Sequence, residues 1–292
     1  MPKILRGRYG LLMARRLKIR LRRQAAGGRG VLKLYLLRHG ETEFSRSDRF
    51  CGDIDAPLTD AGKLMGEQFA HAYAQMPWRA IVTSTRRRAQ ATAEPLAART
   101  RGRIRRDPRL DEIFYGDWQG LTKSQAQARD PGHFRLWRQD PTIGPPAGES
   151  PFDVSERAMS AIDDLRVRYD AGNVLVVSHK TVLRIVLCRL LNLDLRCYRE
   201  HIDWRVGAVT VMELGPCHAR IVIMGDVSHL QPQAAGDLVG EQEPGGGELD
   251  MDFVDDQPAG LDGGGDGGLA AGHGIDPMTG AMPGAVDAGD SA

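Results

Sequence analysis

Lysine and arginine are absent after Arg220, and acidic residues are absent from residues 1–30. The net charge of +1 therefore conceals two ends of opposite sign around one central region. Long apolar runs are also missing. No stretch approaches the ~18 consecutive apolar residues that a membrane span needs. Arginines interrupt Leu11 to Leu21, and no small-residue cleavage pattern follows, which argues against a secretory leader. Residues 1–30 contain no serine, which weighs against a mitochondrial presequence. Cysteine is scarce. Cys51, Cys188, Cys197 and Cys217 have neither metal-ligand nor disulfide-framework spacing, so reduced thiols in a cytoplasmic protein are expected.

What is present divides the chain into three. Residues 1–30 form a basic N-terminal extension, expected to be flexible. Residues 31–230 carry the strand and helix signals and are long enough for one sizeable core. Residues 231–292 are rich in glycine, aspartate and alanine and are expected to be disordered, because they hold too little apolar surface to offset chain entropy. The glycine run from Gly263 to Gly268 has no repeat period and reads as linker rather than calcium site.

The central region alternates strand and helix. Val31–Leu37 reads as a strand, and Thr59 caps a helix reaching about Met76. Ala80–Thr83 is a second strand, Arg86–Thr100 a helix and Gly102–Arg105 a third strand. Pro108 to Gly148 reads as loop-rich and holds most of the aromatics. Ser150 caps a long helix, Asn173–Ser178 is a buried strand, and Thr181–Leu193 is a buried helix. Val206–Leu214 and Ala219–Met224 close the region as an antiparallel pair around Gly215 and Pro216. This order predicts an α/β, three-layer sandwich with a largely parallel, doubly wound sheet and an antiparallel edge.

Chemistry-bearing residues recur just after strands. Arg38 and His39 follow the first strand, Arg88 opens the helix after the second, and His179 follows Val176-Val177-Ser178. Open parallel sheets bind ligands at the carboxyl ends of their strands, so these side chains are expected to meet in one electropositive pocket. Arginine is a planar donor fork for phosphate oxygens, and a neutral imidazole can attack phosphorus. Gly40 lets the backbone turn sharply beside a bound anion.

The ordered motifs resemble the histidine phosphatase superfamily, in its phosphoglycerate mutase-like branch. They are Arg38-His39-Gly40-Glu41-Thr42, then Asp55-Ala56-Pro57-Leu58-Thr59-Asp60-Ala61-Gly62, then Thr83-Ser84 with Arg88-Ala89 and Thr92-Ala93. Leu110-Asp111-Glu112, Gly116-Asp117-Trp118-Gln119-Gly120, Gly148-Glu149-Ser150 and Val177-Ser178-His179 follow. The resemblance implies that His39 becomes a phosphohistidine. It implies that Arg38, Arg88 and a protonated His179 hold the phosphoryl oxygens, and that Glu112 serves as general acid and base. Asp111, Asp117 and Glu149 compete with Glu112, and Arg86 and Arg87 with Arg88. No metal and no cofactor are needed in this scheme, because fixed cations take the metal's place.

Departures from the family pattern lie around that core. Ser45 stands where asparagine is common and offers one hydroxyl to the phosphoryl group. Cys51-Gly52 stands where a hydroxyl residue is common, leaving backbone amides as donors and raising the possibility of a low-pKa thiol at Cys51. Lys180 replaces a small residue and is expected either to add a cation at the pocket rim or to point into water. The segment between Glu112 and His179 is short for a mutase and lacks that group's paired arginines. The expected activity is therefore a metal-independent phosphatase acting on small phosphorylated metabolites. A phosphoglycerate mutase and a non-catalytic phosphate-binding regulatory protein are the alternatives. No nucleic acid partner and no membrane span are expected, and nothing in the sequence fixes the oligomeric state.

Overall fold

The computed structural model describes residues 30–215 and 218–231. The two charged extensions, the run from Gly263 to Gly268, Pro216 and Cys217 lie outside the described residues. Among the described residues a six-stranded sheet has the order β3-β2-β4-β1-β5-β6. Its strands are β1 (Leu32–Arg38), β2 (Trp78–Thr83), β3 (Ile104–Arg106), β4 (Gly172–Ser178), β5 (Val209–Leu214) and β6 (Ala219–Asp226). The first four run parallel; β5 is antiparallel to β1, and β6 to β5. The predicted α/β sandwich with an antiparallel edge is the observed fold.

The central strands are apolar almost throughout because both faces are covered. Leu32, Leu34 and Leu36 of β1 pack with Val174 and Val176 against α6 (Pro151–Arg168) and α7 (Lys180–Leu190). Tyr35 and Leu37, with Leu175 and Val177, pack against α2 (Asp60–Tyr73) and α3 (Arg87–Thr100). This two-residue alternation assigns each side chain of β1 to one layer.

Element ends follow local chemistry. Thr59 caps α2 by accepting the Gly62 N–H at 3.0 Å. Ser150 and Asp153 form a reciprocal capping box at the start of α6, with Pro151 in the first turn. Arg101 ends α3 in the left-handed region. The predicted helix at 181–193 instead starts at Lys180 and stops at Leu190, with Asn192 at positive φ just beyond.

The largest difference from expectation lies between Pro108 and Gly148. This segment is a small helical cap rather than mainly loop. It contains two 3-10 turns, Pro108–Leu110 and Gly116–Trp118, then α4 (Lys123–Arg129) and α5 (Pro131–Gln139). Phe50, Trp118, Ala126, Phe134 and Trp137 form its own apolar cluster. A four-residue helix, α1 (Glu43–Arg46), follows β1.

The chain leaves β1 through α2 on one face and leaves β4 through α7 on the other. β1 and β4 are neighbours, so their carboxyl ends open the crevice that such a reversal of direction creates.

Candidate active site

β1 delivers Arg38 and His39 to that crevice, and β4 delivers Ser178 and His179. The backbones are tied there, with the His39 N–H donating to the Ser178 carbonyl at 3.1 Å. The start of α3 brings Arg88. Arg38, His39, Arg88 and His179 are all buried, and the two imidazole centroids lie 5.1 Å apart. The four residues expected to converge do so.

The hydrogen bonds fix both tautomers. His39 Nδ1 lies 2.7 Å from the Gly40 carbonyl oxygen, which can only accept. The proton is therefore on Nδ1, and Nε2 keeps its lone pair. Burial, then Arg88 and Arg38, holds this imidazole well below the usual histidine range, so it is neutral at neutral pH.

His179 has the opposite tautomer. Its Nδ1 accepts the Arg88 Nε–H at 3.2 Å, and its Nε2–H donates to Ser84 Oγ at 2.7 Å. Burial, Arg88 and His39 also keep it neutral. The protonated His179 expected from sequence belongs to the state with a bound dianion, and this neutral form is the one without it. A proton on Nδ1 would break the bond to Arg88, so the charged form requires a bound anion and a shift of that contact.

Arg88 is anchored on three sides. Besides His179, it donates to the carbonyls of Ile54 at 2.8 Å and Gly52 at 2.9 Å. Its neighbours on α3 are engaged elsewhere. Arg86 donates to the Asp53 carbonyl and pairs with Asp111, and Arg87 holds Asp55. Arg38 donates to the Trp204 carbonyl at 2.8 Å. Thr92 links the two walls of the pocket, accepting the Gly40 N–H at 2.9 Å and donating to the Arg88 carbonyl at 2.8 Å.

The competing acids separate by their partners. Asp111 accepts from Thr85 through both its N–H and its hydroxyl. Glu149 pairs with Arg157 at 2.7 Å and accepts the Phe114 N–H. Glu112 faces the site cations instead, with Oε1 accepting the Ile113 N–H at 2.9 Å. Burial raises its carboxyl above the usual range, against the opposing pull of that N–H, Arg88 and Arg38. A raised carboxyl beside a depressed imidazole is the pairing that general-acid chemistry needs.

The outer candidates lie around this core. Ser45 Oγ is engaged in capping α1, accepting the Thr42 N–H at 2.9 Å and donating to the Thr42 carbonyl at 3.0 Å. Cys51 Sγ donates to the Ile54 carbonyl at 3.4 Å, and burial pushes its thiol up rather than down, because it outweighs the pull of Arg88. Gly52 sits at φ +54° and supplies a carbonyl to Arg88. Lys180 is half-buried at the first position of α7. Sequence reasoning left three contributors without a role. Ser84 had a motif signal; the Trp204 carbonyl and the Tyr115 hydroxyl, 3.0 Å from Thr181 Oγ1, had none.

This crevice belongs to a known class of protein. The chain is a member of the histidine phosphatase superfamily, branch 1, whose family model matches residues 34–227. It is 37% identical over 180 residues to a bifunctional protein of Mycobacterium tuberculosis, covering 61% of this chain and 50% of that one, so it spans about half the length of that relative. It is 34% identical over 170 residues to the glucosyl-3-phosphoglycerate phosphatase of Mycolicibacterium vanbaalenii, covering 56% of this chain and 76% of that one. Among solved structures, Bacillus stearothermophilus YhfR aligns with a TM-score of 0.65 at 32% identity, covering 68% of this chain and all of that one. No helix among the described residues is long and apolar enough to cross a membrane.

Proposed function

We propose that this protein is a phosphatase for small phosphate monoesters, acting through a phosphohistidine on His39. The observation that carries the reading is the Nδ1–H of His39 bonded to the Gly40 carbonyl, which leaves Nε2 as the nucleophilic nitrogen. The phosphatase relatives support the same class of reaction.

In the first step the Nε2 lone pair of His39 attacks phosphorus as the bond from phosphorus to the leaving oxygen breaks. The protonated Glu112 carboxyl gives its proton to that oxygen, and the alcohol departs. Arg38 and Arg88 balance the phosphoryl charge. In the second step a water oxygen attacks phosphorus, the Glu112 carboxylate takes its proton, and the N–P bond electrons return to Nε2. Arg88 is held by carbonyls and an imidazole nitrogen, so its position is set before substrate arrives.

A phosphate-release screen over phosphorylated metabolites, with a chelator present, tests the reading. Wild type releases phosphate, His39→Ala loses at least ~1,000-fold in kcat, and denaturation traps an acid-labile phosphoryl group on wild type only. Equal turnover by His39→Ala overturns it. Interconversion of phosphoglycerates without phosphate release would assign a mutase instead.

A further inference from the structure

Beyond the phosphoryl pocket, a second group of cations has no place in the mechanism above. Lys180 and Arg184 are four residues apart on α7 and therefore share one side of the helix. The Arg184 side chain is only 13% exposed, and among the described residues its ion pair is to Asp203 Oδ1 at 3.6 Å. That oxygen already accepts the Trp204 N–H at 2.7 Å. Arg184 Nε is buried and has no hydrogen-bond partner among the described residues. The acids that act on Lys180 are Asp48 and Asp203, and the Asp48 carboxylate is paired with Lys123 at 2.9 Å.

Positive charge thus exceeds the acid available to it. A buried guanidinium nitrogen without an acceptor is costly, and it becomes satisfied when an anion fills the space beside it. Titration behaviour agrees with the geometry. Burial and the neighbouring cations Arg38 and Arg184 push Lys180 down to about 8, with Asp48 and Asp203 pulling the other way. Burial and Arg38 also work against the charge of Arg184, with Asp203, Tyr115 and Tyr198 supporting it. Arg184 pairs with Asp203, whose neighbour Trp204 gives its carbonyl to Arg38, and Lys180 directly follows His179, so this cluster lies on the Arg38 side of the pocket.

We propose that Lys180 and Arg184 form a second anion subsite that receives a carboxylate carried by the same substrate, making phosphorylated hydroxy acids the preferred class over phosphate monoesters that carry no other anion. The guanidinium fork matches a planar two-oxygen group, and lysine adds a point charge beside it. This inference rests on the phosphatase reading for its substrate, and its test separates the two.

The experiment compares 3-phosphoglycerate with glycerol 3-phosphate, which differ in the carboxylate, at fixed ionic strength. The full chain is used as wild type, Lys180→Met and Arg184→Met. Wild type shows the higher kcat/KM for 3-phosphoglycerate, and each variant cuts that preference about tenfold, the size expected for one charge-assisted hydrogen bond. No wild-type preference, or equal losses on both substrates, overturns the subsite. So does a preference for fructose 1,6-bisphosphate over 3-phosphoglycerate, which would assign the cations to a second phosphate. The half-buried Lys180 carries the comparison if Arg184→Met does not fold. The same pair is titrated calorimetrically into His39→Ala, a readout independent of turnover. Tighter binding of 3-phosphoglycerate there supports the subsite even if wild type hydrolyses neither compound, a result that would defeat only the phosphatase reading. Equal binding overturns the subsite.

Discussion

Arg88 gives its Nε–H to Nδ1 of His179 at 3.2 Å, and this contact decides where His179 carries its proton. With Nδ1 accepting, the ring proton must sit on Nε2, where Ser84 Oγ receives it at 2.7 Å. Ser84 also accepts the Arg86 N–H at 3.0 Å. One hydroxyl therefore orients an imidazole, which in turn orients a guanidinium.

Ser84→Ala removes that acceptor from a fully buried donor. The expected cost is about 1–3 kcal/mol of stability, the desolvation penalty of an unpaired buried group. Chemical denaturation measures it. We expect kcat to fall about tenfold, with a smaller change in KM, because the loss is one of Arg88 alignment rather than of charge. Ser84→Thr retains the oxygen and should restore most of both. Equal damage by the two variants would point to packing instead.

On the proposed mechanism, the activity profile against pH follows from His39 as nucleophile and Glu112 as acid. The nucleophile must be neutral, and burial with Arg88 and Arg38 lowers its value well below 6.5. The acid must be protonated, and burial raises Glu112 above 4.5. Activity should therefore fall in acid below the ordinary histidine range and fall again in base above the ordinary carboxylate range. Glu112→Gln cannot give or take the proton. With p-nitrophenyl phosphate, whose leaving group needs little protonation, that variant should release about one equivalent of nitrophenol in a burst and then stall, since water activation is lost. Stopped-flow absorbance reads the burst.

Stability against pH follows from the same groups with a definite sign. His39 and His179 have folded values below the unfolded 6.5, so their contribution is complete above 6.5 and is lost as pH falls. Glu112 acts oppositely, because the folded chain keeps its proton above 4.5, where the unfolded chain has lost it. The histidines and Glu112 therefore pull in opposite directions, with the two histidines lowering stability as pH falls below 6.5. His229, also lowered by burial, adds to the loss. Tm should drop as pH falls below 6.5. His39→Gln should flatten the slope, and scanning calorimetry tests both.

The crevice was legible because its residues announce themselves at strand ends, and β1 and β4 show their burial as continuous apolar runs. The cap was less legible for a physical reason. α4 and α5 span 7 and 9 residues, too short for a periodic stripe to emerge, and Leu136 on α5 is exposed. Their start signals were nonetheless present, in the Thr122–Gln125 capping box and in Asp130 followed by Pro131. Ser45 stands where the family resemblance suggests a phosphoryl contact, and Thr42 three residues earlier also engages it in a capping box. Arg184 was invisible because an arginine within an apolar helix gives no hint of its burial or of an Nε without a hydrogen-bond partner.

Cys51 should be a slow thiol. Burial raises it despite Arg88 nearby, and its Sγ–H is engaged with the Ile54 carbonyl. Iodoacetamide labelling near pH 7, read by mass spectrometry of the 51-containing peptide, should proceed more slowly than for a free cysteine peptide. Fast labelling would mean the site cations govern the thiol after all.

Gly40 and Gly52 should respond differently to alanine, although the carbonyl of one contacts His39 and that of the other Arg88. A Cβ at Gly40 would lie 2.3 Å from the Gly62 carbonyl oxygen, an atom of the backbone that enters α2. Gly62 in turn is packed against the Glu41 carbonyl, at 2.1 Å from its own hypothetical Cβ, so neither strand of chain can yield alone. A Cβ at Gly52 meets chiefly Gln119 Oε1, the end of a side chain that can rotate away by giving up the Asp53 N–H. The remaining cost at Gly52 is its φ of +54°, about 1 kcal/mol for an L-residue. Gly52→Ala should therefore fold with a modest loss of stability. Gly40→Ala should cost about 3 kcal/mol or more, because backbone that positions His39 and the first turn of α2 must shift together. Denaturant midpoints for the two variants decide the order, and equal midpoints would contradict the close approach of the Gly40 and Gly62 backbones.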